Sequence, residues 1–349
     1  MKIAPLYHKL RTEPWCRVAV VHTGQHYDPT MSEAFFKDLE LPDPDHHLGV
    51  GSGSHAEQTA KVMVAYERLC HEARPDWTIV VGDVNSTMAC TLVGAKLGIK
   101  VAHLEAGLRS RDRSMPEEIN RIVTDALADL LWTPSPDADA NLIGEGVSKE
   151  RIDRVGNIMI DSYEFLRSRI EAHHARNRFA LGAKQYGVVT LHRPSNVDEQ
   201  SALRLLMTEL CDIAADIPLI FPVHPRTRER LRSFGLDQMV EQSLGLITTA
   251  PMGYIEFMSL VSEAAFIITD SGGVQEETTY LGIPCLTLRT TTERPITITE
   301  GTNRLVHPAE LRAIVRSNLD GNGRKRQIPA LWDGHTAERV VASLRLRWK

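Results

Sequence analysis

Residues 269–277 read TDSGGVQEE and connect an apolar run, AAFII, to a segment with helical character. A strand that passes through such a Gly-rich turn straight into a helix leaves several backbone N–H groups without intrahelical partners, with the positive end of the helix dipole behind them. Gly272 and Gly273 allow a phosphate to approach the backbone, and Glu277, one turn into the helix, lies within reach of sugar hydroxyls. The pattern favours an anion or nucleotide-sugar site, and the alternative is a tight turn with solvated glutamates.

Polar side chains also follow the other apolar runs at the point where each run ends. Asp83 and Glu105 come directly after such runs, where an unpaired acid is costly unless it has a partner or a function. Open α/β sheets bind ligands at the carboxyl ends of their strands, so we expect these acids to belong to a site. Three histidines in similar positions are equally well explained as hydrogen-bonded residues at strand ends: His22, His103 and His224.

Three further segments each have more than one interpretation. In SMPEEINR, Glu117 is either a functional acid or the acidic partner of Ser114 in a capping box. In TTERP, Arg294 either supplies the two-pronged donor that a diphosphate prefers or lies in a simple loop. The glycines of GVGSGSHAEQ (49–58) do not match a dinucleotide fingerprint, so we interpret this segment as a loop before a capped helix.

The elements that must position these residues alternate between strand and helix. Short apolar runs, beginning with RVAVVHTGQH (17–26), are each followed by a polar turn and a helical pattern. Ser54 and Glu57 form a capping-box pattern before one helix, and Gly98 closes the next. The alternation stops in a charged segment at about 160–183 and then resumes. It predicts an α/β fold of two doubly wound parallel sheets that face each other across a cleft, where the ligand would bind.

Composition restricts the class of protein. The chain has 349 residues, 42% of them hydrophobic, and a formal net charge of -5, which predicts packed cores and no basic stripe for a nucleic acid. No apolar run approaches the ~20 residues that span a bilayer, and the first residues lack the apolar core of a signal peptide. The five cysteines are scattered without a CxxC pair, which fits reduced core thiols better than disulfides or zinc. We therefore expect a cytoplasmic protein without a metal site.

The chain resembles the non-hydrolysing UDP-N-acetylglucosamine 2-epimerases in six motifs, which occur in that family's order and spacing: VVGDVNST, AHLEAGLRSRDRSMPEEINR, LHRPSN, PVHPR, TDSGGVQEE and TTERP. The resemblance extends from about residue 1 to 310, and the set of motifs is highly specific. It implies the glycosyltransferase-B architecture of two Rossmann-like domains, at 1–165 and 166–330, with a C-terminal helix at 331–349 that packs back on the first domain. It also implies a homodimer and an enzyme without a cofactor.

The resemblance implies the reversible conversion of UDP-N-acetylglucosamine into UDP-N-acetylmannosamine. The hydrogen at C2 of the sugar is poorly acidic because no carbonyl is adjacent, so UDP is eliminated to leave 2-acetamidoglucal, a proton returns to the other face of C2, and UDP adds back. Elimination and re-addition are redox-neutral and require neither a metal nor a nicotinamide. Two alternatives remain open, a glycosyltransferase of the same architecture and a catalytically inactive nucleotide-sugar-binding protein.

Matching the family's motifs residue by residue gives roles to individual side chains. Asp83, Glu105 and Glu117 are implied to be the acid/base and charge-stabilising carboxylates, and His192 to act at the diphosphate. The implied substrate-binding residues are Lys2, His224, Phe257, Ser271, Gly272, Gly273, Glu277 and Arg294.

The sequence departs from the family in two places. Members activated by a second UDP-N-acetylglucosamine carry HRRE and QHxxM where this chain has HRPS and QHYDPTM, so that allosteric site is matched only at Gln25, His26 and Arg193. The chain also opens on a helical pattern, MKIAPLYHKL, where the family has a first strand and a turn containing Arg-Pro. We therefore expect Met1 to be an internal methionine preceded by roughly a dozen residues that form a short strand and a turn. The alternative is a sheet that begins one strand later.

Overall fold

The computed structural model describes residues 1–24, 36–319 and 327–348. Every strand pairing in these ranges is parallel, which confirms the predicted α/β fold class. Among the described helices, none combines the length and the apolar character that a membrane crossing requires. The chain divides into two compact units: unit 1 is Met1–Phe165 with Ala330–Lys349, and unit 2 is Leu166–Pro329.

Unit 1 is a parallel α/β assembly. Its strands and helices are, in chain order, α1 (Ile3–Leu10), β1 (Val21–His22), β2 (His46–His47), α2 (His55–Glu72), β3 (Trp77–Val81), α3 (Asn85–Lys96), β4 (Lys100–Leu104), α4 (Pro116–Leu127), β5 (Leu130–Thr133), α5 (Pro136–Gly144), β6 (Ile152–Arg154), α6 (Ile158–His173), which continues into unit 2, and α15 (Thr336–Leu346). Strands β3, β4, β5 and β6 form one sheet in that order, and β1 pairs with β2. Val81 of β3 lies opposite Leu104 of β4, so the residues that follow both strands emerge at the same edge of the sheet.

The C-terminal helix α15 belongs to the core of unit 1. Its Val340 and Leu344 are buried in one cluster with Leu6 of α1 and Trp132 of β5. The indole N–H of Trp132 donates to Ser343 Oγ at 2.8 Å, which satisfies the polar atom of a fully buried ring. Helix α1, which carries the N-terminal residues, is therefore held against the sheet by the far end of the chain.

Unit 2 is a second parallel α/β assembly. Beyond α6, its strands and helices are β7 (Gly187–Thr190), α7 (Pro194–Val197), α8 (Gln200–Ala214), β8 (Leu219–Pro222), α9 (Pro225–Ser233), α10 (Asp237–Gln242), β9 (Leu246–Thr249), α11 (Tyr254–Glu263), β10 (Phe266–Thr269), α12 (Gly272–Leu281), β11 (Cys285–Thr287), α13 (Ile296–Thr299), β12 (Asn303–Leu305) and α14 (Leu311–Leu319). The strand order is β12-β11-β10-β7-β8-β9, so the direction of winding reverses between β7 and β10. Thr190 pairs with Thr269 at the ends of these two strands, and ligands of open α/β sheets bind outside such a switch point.

Two segments of the sequence have the spacing of a capping box, and one of the two boxes forms. Ser54 accepts from the N–H of Glu57, whose carboxylate accepts from the N–H of Ser54, at the start of α2. Ser114 and Glu117 do not form the capping box that was one interpretation of their spacing, because α4 has Met115 as its N-cap and Ser114 Oγ donates to Asp112 Oδ1 instead. Glu117 is therefore not needed to cap its own helix.

Candidate active site

Glu105 directly follows β4 and has a strained backbone. Its φ of +72° lies in the left-handed region, which a non-glycine residue rarely adopts. Its carboxylate is only 3% exposed and lies 2.5 Å from Lys2 Nζ, so the start of α1 supplies its counter-charge. Gly82 lies beside this ion pair and has a φ of +71°, a backbone conformation that glycine adopts without strain. A buried acid held in a strained conformation beside a lysine is typical of a functional site.

Asp83 follows β3 and is held by α4. Its Oδ2 lies 2.5 Å from Nη1 of Arg121, which is itself buried and also binds Glu118 at 2.7 Å. The side chain of Asn120 donates to the carbonyl of Asp83 at 2.9 Å. Helix α4 therefore fixes both the main chain and the carboxylate of Asp83, while the side chain keeps 27% of its surface exposed.

The adjacent acids Glu117 and Glu118 have different environments. Glu118 is buried and accepts hydrogen bonds from the N–H groups of Ser110 and Arg111 and from the guanidinium of Arg121. Burial alone would raise the pKa of Glu118, but these donors hold it below its ordinary value. Glu117 is half-buried and makes neither a hydrogen bond nor an ion pair with any described residue. Glu118 therefore orders the loop before α4, whereas the carboxylate of Glu117 is not engaged by any described residue.

In unit 2, His192 and Asp270 meet at the switch point. His192 Nδ1 lies 2.9 Å from Asp270 Oδ1, and the N–H groups of His192 and Arg193 donate to Asp270 Oδ2 at 3.0 and 2.9 Å. Burial would raise the pKa of Asp270, but the hydrogen bonds and charge of His192 and the backbone N–H groups hold it below its ordinary value. Asp270 therefore orients the His192 ring so that Nε2 is directed away from it.

We expect Asp270→Asn to lower kcat by about 10- to 100-fold, because the ring of His192 would lose its orienting acceptor. The pKa of Asp270 is depressed in the folded state, so the stability that its carboxylate contributes is present above the ordinary aspartate pKa and is lost as pH falls through the depressed value. The difference in unfolding free energy between wild type and Asp270→Asn, measured by urea titration, should therefore shrink as pH is lowered. A difference that stays constant from neutral pH into the acid range would contradict this assignment.

His224 caps α9 beside His192. Its Nδ1 accepts from the N–H of Arg226 at 3.2 Å, and its ring centroid lies 5.6 Å from that of His192. Burial, and then the neighbouring charge of His192, hold the pKa of His224 below its ordinary value. His192 and His224 together place two imidazole rings close to the same switch point.

Helix α12 begins directly after β10, as the TDSGG motif predicted. Ser271 is its N-cap and makes no side-chain capping bond among the described residues. A Cβ at Gly273 would meet nothing within 4 Å, whereas a Cβ at Gly272 would lie 2.9 Å from Arg294 Nη1 and from Glu293 Oε1. The N-terminal turn is therefore open at Gly273, and Gly272 gives the arginine its space.

The guanidinium of Arg294 forms ion pairs with two glutamates of unit 2. Its Nε lies 2.9 Å from Glu276 Oε1, and its Nη1 contacts Glu293 Oε1. Burial would raise the pKa of Glu293, but Arg294 and then Arg289 hold it far below its ordinary value. This buried group of charges fixes the guanidinium against the first turn of α12.

Glu277 and Phe257 lie on neighbouring helices, α12 and α11. The hydroxyl of Tyr254, at the start of α11, donates to Glu277 Oε1 at 2.8 Å. Glu277 is buried, and Phe257, less than one turn after Tyr254, is half-buried. Tyr254 therefore orients the carboxylate that the sequence assigned to a sugar hydroxyl.

The open turn at the start of α12 gives a test for anion binding. We expect Gly273→Val to weaken UDP binding by about tenfold or more, since its side chain would occupy the space beside the free N–H groups without displacing a described atom. The melting temperature should change little. Gly272→Val is the matched comparison, and it should lower both affinity and stability because its Cβ meets Arg294 and Glu293. Isothermal titration with UDP and thermal unfolding measure both, and unchanged affinity in Gly273→Val would exclude an anion site at this turn.

Three residues that shape the site were missing from the sequence prediction: Arg121, Tyr254 and Asp270. Arg121 lies in the quoted PEEINR motif one turn after Glu117, and Asp270 ends a strand as Asp83 does, so both had a signal in the sequence. Tyr254 had none. Of the three residues predicted for a second nucleotide-sugar site, Gln25 and His26 lie outside the described residues, and that site stays a prediction.

Comparison with known proteins places this geometry in a family. The family model described as UDP-N-acetylglucosamine 2-epimerase matches residues 8–345. A protein of that name from Methanocaldococcus jannaschii is 39% identical over 330 residues, which are 93% of this chain and 90% of the relative. The crystal structure of the Methanocaldococcus jannaschii UDP-GlcNAc 2-epimerase in complex with UDP-GlcNAc and UDP superposes with a TM-score of 0.89 at 38% identity, covering 99% of this chain and 96% of that one.

A relative with a different substrate in its name is nearly as similar. The UDP-2,3-diacetamido-2,3-dideoxy-D-glucuronate 2-epimerase of Pseudomonas aeruginosa is 38% identical over 294 residues, which are 83% of this chain and 80% of the relative. These similarities define the protein as an epimerase of nucleotide sugars. The chain belongs to the UDP-N-acetylglucosamine 2-epimerase family.

Proposed function

We propose that the protein interconverts UDP-N-acetylglucosamine and UDP-N-acetylmannosamine by elimination and re-addition of UDP through 2-acetamidoglucal. The observation that carries the proposal is the set of acids in unit 1, Asp83, Glu105 and Glu117, at the ends of β3 and β4 and the start of α4. An epimerase must remove a proton from one face of C2 and return one to the other, so it needs more than one acid/base group.

The acids of unit 1 are suited to the reacting ring because each is held differently. Glu105 is buried beside Lys2, Asp83 is fixed by Arg121 with part of its surface exposed, and Glu117 makes no ion pair with any described residue. Three separate acids can provide one group that removes a proton and another that returns a proton in the same cycle. The same set also places negative charge where an oxocarbenium-like centre would develop.

Unit 2 supplies groups for the nucleotide. The open first turn of α12 and the oriented ring of His192 offer donors to a diphosphate, and Glu277 offers a carboxylate to the ribose hydroxyls. Elimination at C1 and C2 makes UDP the leaving group, so donors that bind the diphosphate more tightly as its charge increases would accelerate the step. No electron transfer takes place, and the chain's own side chains account for every proton.

The test is to incubate the protein with UDP-N-acetylglucosamine alone and to follow the sugar by proton NMR. The manno isomer should accumulate to an equilibrium mixture without any acceptor. A parallel reaction contains UDP-2,3-diacetamido-2,3-dideoxy-D-glucuronate. Turnover of the uronate alone would overturn the proposed substrate, and turnover of neither compound would leave a glycosyltransferase or an inactive binding protein as the better explanation.

We also propose that the protein is a homodimer, on the strength of its family membership. Light scattering after size exclusion should give twice the mass of the 39.0 kDa chain. A mass equal to one chain at assay concentration would contradict the proposal.

A further inference from the structure

Asp125, on the buried side of α4, contacts three groups around Glu105. Its Oδ1 lies 2.6 Å from His103 Nδ1, and its Oδ2 accepts from the N–H of Gly107 at 3.0 Å and from Arg109 Nη1 at 2.7 Å. These partners stand two residues before, two residues after and four residues after Glu105. One carboxylate therefore holds the chain on both sides of the residue with the left-handed backbone.

The ring of His103 continues this contact to the neighbouring strand. Its Nε2 lies 2.8 Å from the carbonyl oxygen of Gly82, the residue that directly precedes Asp83. A carbonyl oxygen can only accept, and so can an ionised carboxylate, so both ring nitrogens of His103 face acceptors and both must donate. The ring in this arrangement is the imidazolium, fully buried between Asp125 and the end of β3.

The charge on Asp125 is consistent with this arrangement. Burial would raise its pKa, but His103 and then Arg109 hold it below its ordinary value. Arg109 is anchored in turn by Glu145, which contacts Arg109 Nε at 2.8 Å and Nη2 at 2.6 Å. A buried ion pair with both partners fully hydrogen-bonded is costly to break from one side, and it fixes the geometry of the segments that it joins.

We propose that the Asp125–His103 pair is a positioning unit for catalysis, which fixes the spacing between Asp83, Glu105 and Glu117. The pair connects the three segments that carry these acids: Gly82 at the end of β3, the strained turn after β4, and helix α4, which carries both Glu117 and Asp125. This role rests on the proposed function, because the three acids are the groups assigned to the sugar ring. Neither member of the pair contacts the substrate in this account.

Strain at Glu105 explains why such a support is needed. A left-handed backbone is strained at a non-glycine residue, so the turn would relax if its flanking contacts were lost. A displacement of about 1 Å at an acid/base group is enough to lower a rate about 100-fold. The pair therefore acts on kcat through the position of Glu105 and through the loop of Asp83.

Asp125→Asn tests the charge and hydrogen bonds of the pair while keeping its shape. The amide oxygen can still accept from Gly107 and Arg109, whereas the amide N–H₂ would face His103 Nδ1 and leave the ring neutral. We expect kcat to fall about 10- to 100-fold, with the dissociation constant of UDP unchanged because UDP binding is assigned to unit 2. Asp161→Asn is the control, since Asp161 is another buried acid of unit 1, accepts from the N–H of Ala337, and is distant in sequence from the acids. It should leave kcat unchanged.

A double-mutant cycle shows whether the two residues act as one unit. His103→Gln should lower kcat to a similar degree, and Asp125→Asn combined with His103→Gln should be no worse than the more severe single change. If the losses of the two single variants add fully in the logarithm of kcat, the residues act separately. That result would overturn the proposal that they form one positioning unit. Full activity in folded Asp125→Asn would overturn the positioning role, as would parallel losses of kcat and UDP affinity.

The protonation state of the His103 ring can be measured by NMR in the absence of substrate. The protein is labelled with ¹⁵N-histidine and studied by proton–nitrogen correlation spectra. One of the 14 histidines should be doubly protonated at the assay pH. This signal should be absent from His103→Gln, and in Asp125→Asn it should be replaced by the signal of a neutral ring. A neutral His103 in the wild type would overturn the pair as described. Wild-type protein that leaves nucleotide sugars unchanged would instead overturn the proposed function, and with it the catalytic role of the pair, whatever the NMR signal shows.

Discussion

Glu105→Gln should lower kcat by about 100- to 10,000-fold and leave the dissociation constant of UDP within about twofold of the wild-type value. Glutamine has the shape of glutamate and allows the turn to keep its left-handed backbone, but it can neither take up nor release a proton. The carboxylate is buried beside Lys2, so no other acid in the turn can replace it. Initial rates of epimerisation and calorimetric titration with UDP give the two quantities.

Lys2→Met is the companion variant for Glu105. It removes the counter-charge that lies 2.5 Å from the carboxylate and leaves the acid itself in place, so it should reduce kcat less than Glu105→Gln does. If Glu105→Gln lowers kcat and UDP affinity to the same extent, Glu105 has a structural role. A Lys2→Met variant that is less active than Glu105→Gln would show that the lysine, and not the glutamate, performs the chemistry.

Glu117→Gln and Glu118→Gln should have opposite effects although the two residues are adjacent. Glu117 makes no hydrogen bond or ion pair with a described residue, so its amide should leave the melting temperature unchanged and lower kcat by about 100-fold or more. Glu118 accepts hydrogen bonds from two backbone N–H groups and from Arg121. In Glu118→Gln, the amide N–H₂ would face some of these buried donors, which should cost about 1–3 kcal/mol of stability.

Thermal unfolding and steady-state kinetics on both variants decide between the two acids. The Glu118→Gln variant will also lose some activity, because Arg121 joins Glu118 to Asp83, but that loss should accompany the loss of stability. If Glu117→Gln is destabilised and Glu118→Gln is the stable, inactive variant, the assignment of the pair is reversed.

The sequence predicted parallel sheets and most of their strands, although not β2, β6 or β12, and it singled out acids at strand ends, because these features depend on local patterns. The ends of β3 and β4 could be read from apolar runs that stop at Gly82 and Glu105, and the register places both ends at one edge. The same local rule failed for Ser114, whose hydroxyl binds Asp112, although the equivalent pattern at Ser54 forms its capping box. Identical spacing therefore did not determine which hydrogen-bond partner the serine side chain finds.

Contacts between distant residues could not be predicted in this way. Arg121 and Asp83 are separated by 38 positions, and His192 and Asp270 by 78, so their pairing depends on the finished sheets. The left-handed backbone of Glu105 also had no signal, since such a conformation is ordinarily marked by glycine or asparagine. The sequence singled out the acids, but it could not predict how α4 and Lys2 hold them.

The most direct test of the account is turnover of UDP-N-acetylglucosamine in D₂O, followed by proton NMR and mass spectrometry. If carboxyl groups in exchange with solvent remove and return the C2 proton, both epimers should acquire one deuterium at C2. The H2 signal and its coupling to H1 should then disappear. The label should appear at the rate of epimerisation in the wild type and at a greatly reduced rate in Glu105→Gln. Epimerised product that retains its original hydrogen at C2 would contradict elimination and re-addition as the mechanism.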